Sequence, residues 1–75
     1  MTRSPRLSGQ KLVSILQKVG FEVIRIKGSH YFLRHSDGRT TVIPVHRNEV
    51  LGPGITAQIL KDCEISPEEL GRREH

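Results

Sequence analysis

A chain of 75 residues has room for one small domain, spanning residues 1–75, and for no second one. At this size only about 60% of the unfolded chain's surface becomes buried, so the core is thin and a large enclosed substrate cavity is excluded. Twelve Lys and Arg against eight Asp and Glu give a net charge of +4, the single Cys63 excludes an intramolecular disulfide framework, and no apolar run reaches the length of a membrane span.

The elements follow in chain order. Residues Met1–Arg6 are polar and include a proline, and fraying is expected there. Ser8 is an N-cap candidate, with Leu7 and Leu12 placed as a hydrophobic staple. Leu12, Ile15, Leu16 and Val19 recur at helical spacing, and Gly20 supplies a left-handed stop on which Phe21 can fold back. A first helix over Gly9–Val19 is predicted. Strands follow at Phe21–Lys27 and His30–His35, joined by the Gly28-Ser29 bend. Ser36-Asp37-Gly38 forms the next hairpin turn, leading into a strand Arg39–Val45 whose Pro44 marks an edge or an end. Glu49–Gly54 is a loop. A second helix starts near Gly54 and buries Ile55, Ile59, Leu60 and Cys63. Ser66-Pro67-Glu68-Glu69 caps a short last helix. The predicted architecture is α+β: a three-stranded antiparallel meander covered on one face by helices, a two-layer sandwich of order α-β-β-β-α with a short C-terminal helix.

Charge is unevenly spread along this frame. Glu64, Glu68, Glu69 and Glu74 crowd the C-terminal end, whereas Glu22 and Asp37 are the only acids from Met1 to Val45. The first part of the chain is therefore the surface a polyanion would meet. A lone cysteine at a helical apolar position reads as a small buried hydrophobe in a reducing compartment, and with no secretory pattern the expected location is the cytoplasm.

The stretch Lys27-Gly28-Ser29-His30 is where this surface could carry chemistry. Strand parity separates His30, Phe32 and Arg34 from Tyr31 and Leu33, and the charged set belongs on the open face of the sheet. There Phe32 either stacks on a base or fills a satellite cluster with Val42 or Ile24. If Ser36-Asp37-Gly38 is a three-residue loop, His46 shares the face of His30; with a two-residue loop it moves to the other face. The first register also buries Ile43 and Val45 and is the preferred one.

RNA carries its own nucleophile, the 2′-hydroxyl. Its scission needs a base near that hydroxyl, an acid near the leaving oxygen and positive charge at the phosphate. Histidine titrates in the right range for the first two, and Arg25, Lys27 and Arg34 supply the third. Gly28, beside Ser29, lets backbone approach a phosphate closely. No metal or other cofactor is expected. His30, His35 and His46 have no carboxylate or cysteine at ligand spacing, and Ser29 has no recognisable buried acid for a relay.

Leu7-Ser8-Gly9 before an apolar helix, Val19-Gly20-Phe21, Lys27-Gly28-Ser29-His30, Arg34-His35 before Asp37-Gly38, Pro44-Val45-His46 and the late Gly54…Ile59-Leu60 together resemble the HicA toxin family, from Leu7 to about Leu70. The resemblance implies a double-stranded-RNA-binding-domain-like α-β-β-β-α fold and a small, metal-independent mRNA interferase. It carries the catalytic histidine over to His30, whereas a role for His46 is inferred from its place in the chain. It further implies a HicB-type antitoxin that masks the site and often represses the operon through DNA binding. Glu49–Pro53 departs from the pattern, being more apolar where basic residues are expected. Two other functions compete with the nuclease. One is a non-catalytic RNA-binding module, disfavoured by the absence of lysines at Gly54-Ile55-Thr56-Ala57. The other is an interaction protein whose open sheet face docks a partner.

Overall fold

A computed structural model of the chain describes residues 7–47 and 49–73, with the backbone alone for Arg73. The expectation for Met1–Arg6 lies outside the described residues. Helix α1 runs over Gly9–Val19. Ser8 caps it, its hydroxyl accepting the Lys11 N–H at 3.1 Å, and Gly20 ends it at φ +118° with its N–H shared between the Leu16 and Gln17 carbonyls. Gly9 is required by packing as well: a Cβ there would stand 2.2 Å from the Pro44 carbonyl oxygen. The first turn of α1 is therefore seated against the backbone that ends the last strand.

Strands β1 (Phe21–Lys27), β2 (His30–His35) and β3 (Thr40–Pro44) form an antiparallel sheet in the order β1-β2-β3. The β2–β3 register pairs His30 with Pro44 and Arg34 with Thr40, and the His35 N–H donates to the Arg39 carbonyl across a three-residue turn. This is the preferred register, and it buries Ile43 while Val45 packs against the core. β3 is shorter than Arg39–Val45 because its start is drawn into the turn, while past Pro44 the ladder runs on by one bond to the residue before β2. The Arg39 N–H donates to the Asp37 carboxylate, and the Val45 N–H donates to the Ser29 carbonyl at 2.7 Å.

Helix α2 covers Pro53–Cys63, with proline in its first turn and Gly52 as N-cap. Its buried stripe is Thr56, Ile59, Leu60 and Cys63. The expectation of a buried Ile55 is corrected: Ile55 is 48% exposed, and Thr56 takes the inward place with its hydroxyl donating to the Gly52 carbonyl at 2.9 Å. A stripe through 56, 59, 60 and 63 leaves position 55 one helical step to the side. Ser66 caps the short α3 (Pro67–Arg73) through the Glu69 N–H.

Both helix stripes close on one face of the sheet. Leu12, Ile15 and Leu16 from α1, Phe21, Leu33 and Ile43 from the strands, Ile59, Leu60 and Cys63 from α2, and Leu70 from α3 make one cluster. The architecture is α+β, as predicted. One pairing was not foreseen: Val50 bridges Ser8 and the Leu51 N–H donates to the Leu7 carbonyl, which pins the loop after β3 to the start of α1.

Candidate functional site

The open face of the sheet is built by parity and by one interruption of parity. On β2 the even positions His30, Phe32 and Arg34 face outward, and on β3 Thr40 and Val42 join them. On β1, Phe21 pairs with His35, Glu22 with Arg34 and Val23 with Leu33; the register then slips, so that Arg25 pairs with Phe32 and Lys27 with His30. The extra residue is Ile24. Without this bulge, alternation from Phe21 inward would send Arg25 and Lys27 under the helices. With it, both cations share the face of His30. The Arg25 guanidinium lies 5.7 Å from the centroid of Phe32, within cation–π reach.

His30 is exposed, and its ring has no hydrogen bond to any described residue. Lys27 stands opposite on β1 and Pro44 on β3. The bend between Lys27 and His30 has Gly28 at φ +59° with no atom within 4 Å of a would-be Cβ, so its outer side is open. Ser29 is half-buried and contributes its carbonyl to Val45. Arg25, Lys27 and Arg34 form no ion pair among the described residues. Glu22 is the cross-strand neighbour of Arg34, so positive charge is least balanced at the His30 end.

The structure gathers Arg25, Lys27, His30, Phe32 and Arg34 on one surface, with Gly28 and Ser29 in the bend beside it. His46 is placed differently. The register favours it, but the strand ends at Pro44 and parity no longer carries past that point. His46 sits in a turn where the Glu49 N–H donates to its carbonyl at 3.2 Å, and it lines a small groove of about 190 Å³ with Pro44, Val50, Leu51 and Ile55. Phe32 packs as the satellite-cluster alternative expects. It is half-buried, and Ile24 and Val42 line the same groove of about 590 Å³ between the open face and α2.

The other end of β2 is a closed structure. His35 meets the Phe21 ring edge-on at 5.1 Å, and its Nδ1 accepts the Asp37 N–H at 3.2 Å. The Asp37 carboxylate also comes within 3.2 Å of this nitrogen. Arg39 donates from Nε to Asp37 at 2.9 Å, lies 5.2 Å from the Phe21 centroid and donates to the Cys63 carbonyl at the end of α2. The guanidinium holds the Asp37 carboxyl below its usual value, and burial pushes the Cys63 thiol up to about 11, which leaves it an inert core group. Among the described residues no three His, Cys, Asp or Glu gather as a metal-holding group, and no helix is long and apolar enough to cross a membrane.

The fold and this surface define a class: a small α+β domain with one uncovered sheet face, cationic around an exposed histidine. Residues 9–65 match the family model described as the HicA toxin of bacterial toxin–antitoxin systems, and the chain belongs to that family. Membership makes it a toxin-type protein and implies an antitoxin partner. No curated protein matches the chain.

Proposed function

We propose that the chain is a metal-independent endoribonuclease acting on mRNA in the cytoplasm, with His30 as general acid or base, and that a HicB-type antitoxin silences it by covering His30. The observation that carries this reading is the bulge at Ile24, which turns Arg25 and Lys27 onto the face of His30 and Phe32.

In the reaction the 2′-oxygen attacks the adjacent phosphorus and the bond to the 5′-oxygen breaks, giving a 2′,3′-cyclic phosphate and a free 5′-hydroxyl. One proton leaves the 2′-hydroxyl and one reaches the departing 5′-oxygen; His30 performs one of these transfers. Lys27 and Arg25 offset the charge that builds on the phosphoryl oxygens. The Gly28-Ser29 bend leaves room for the strand, and Arg34 extends the cationic track away from the bend. His46, on the neighbouring groove, is a secondary candidate for the other proton.

The test is cleavage of purified RNA in the presence of EDTA by the wild-type chain and by His30→Ala, with circular dichroism reporting the fold. The wild type is expected to cut and His30→Ala to leave RNA intact with an unchanged spectrum. Cleavage at the wild-type rate by a folded His30→Ala protein removes His30 from the mechanism.

A further inference from the structure

The larger groove is not accounted for by phosphate chemistry. Ile24, Val42 and Ile55 are 51%, 40% and 48% exposed, yet they converge with Phe32 on one depression. Its volume of about 590 Å³ is within the range of small-ligand sites. On its α2 wall Gln58 and Asp62 stand with Ile55 and Ile59. Gln58 donates its amide to one oxygen of Asp62 at 2.9 Å, and the Thr41 hydroxyl donates to the other at 3.2 Å. Two side chains of known orientation are thus held at the edge of an apolar slot.

We propose that this groove is a nucleobase subsite, receiving one unpaired base of the RNA strand held at His30 and favouring a base with an exocyclic amino group over uracil. The inference rests on the RNA reading above and specifies the part of the substrate it engages. Phe32 and the Arg25 guanidinium form the stacking platform, since every base offers a π-face to an aromatic ring or a guanidinium plane. Phe32 is two residues from His30 on the same strand face, about 6.6 Å along the strand. A base seated on Phe32 therefore belongs to a nucleotide next to the phosphate at His30. The carboxylate of Asp62 accepts and does not donate, and each oxygen keeps a lone pair beyond its bond to Gln58 or Thr41. It suits an amino N–H, as acidic side chains suit cytosine N4, and the Gln58 amide adds the mixed donor–acceptor edge that reads adenine. The neighbouring cations favour a nucleic acid over an apolar peptide as the occupant.

The probes are short single-stranded RNA oligomers that differ only in the base flanking the scissile bond, and the readout is kcat/KM for each. The wild type is expected to prefer amino-bearing bases over uracil by about tenfold, the scale of one good base-edge contact. Asp62→Asn is expected to erase that preference while uracil-containing oligomers are still cut. Ile55→Ala is expected to raise KM severalfold for every oligomer with kcat kept, and both variants are expected to keep the wild-type circular dichroism spectrum, which separates a groove effect from loss of the Thr41–Asp62 bond. Efficient cleavage with the same preference in both variants overturns the subsite and leaves the nuclease reading standing. Unchanged cleavage together with loss of antitoxin binding in Ile55→Ala makes the groove a protein-docking face and overturns it as well. Failure of the wild type to bind or cut any oligomer overturns both readings.

Discussion

The two ends of strand β2 each carry a histidine, and the structure uses them in opposite ways. His35, at an odd position, turns under the sheet edge, where Phe21, the Asp37 N–H and the Gly20 backbone surround it. His30, at an even position, stands in solvent beside two cations, with no described residue bonded to its ring. The turns differ accordingly. Residues 35–39 are tied into their own hydrogen bonds and onto α2 through Arg39, whereas the Gly28-Ser29 bend gives up one carbonyl and is otherwise open. A histidine whose polar atom and ring are already occupied is part of the scaffold, and one that is left uncommitted beside cations can serve a substrate.

Substitutions at the two ends should separate these roles. The largest effect is expected from His30→Ala, which should lower RNA cleavage about a thousandfold, the middle of the range for a lost general acid or base, and leave the urea midpoint unchanged. The support beneath that end comes next. Gly9→Ala drives a methyl into the Pro44 carbonyl, directly under the residue that pairs with His30, and should cost about 2–3 kcal/mol in urea titrations while reducing activity with it. His35→Ala should reverse the pattern of His30→Ala, losing about 1–2 kcal/mol of stability with its ring contact and hydrogen bond while cleavage stays within a few-fold of wild type.

Smaller effects sharpen the same contrast. Arg25→Ala should reduce the slope of log binding constant against log salt for a single-stranded RNA by about 0.7, as expected for one lost phosphate contact. Asp37 gives the smallest. Its carboxyl is held low by Arg39, so its contribution to stability is present above the unfolded value near 3.8 and is lost as pH falls through the lower folded value. Asp37→Asn should therefore flatten the acid limb of the stability curve below about pH 4, with little change at neutral pH; acid titration followed by circular dichroism measures it.

Much of the frame was legible because local rules and the fold agree. Ser8, Gly20 and Ser66 cap where their chemistry predicts, and the limits of α1, β1 and β2 coincide with the expected ones. Parity on β2 was enough to expose His30 and bury Leu33, since both neighbours of that strand are present and its alternation is unbroken. Ile55 was misjudged because a helix stripe of four residues can be drawn through 55 or through 56, and only the seat of α2 on β3 chooses between them.

The sequence by itself determined the element order, the capped helices and the outward direction of His30, because each follows from contacts within a few residues; it favoured the three-residue turn, and the pairing of β2 with β3 decided it. Only the tertiary structure decided which face Arg25 and Lys27 take, since the bulge at Ile24 exists only in the pairing of β1 with β2. It alone placed His46 beyond the last paired residue, and it alone brought Gln58 and Asp62 of α2 to the groove that Phe32 also lines. Those decisions depend on the meeting of segments far apart in the chain, where alternation along a single strand carries no information.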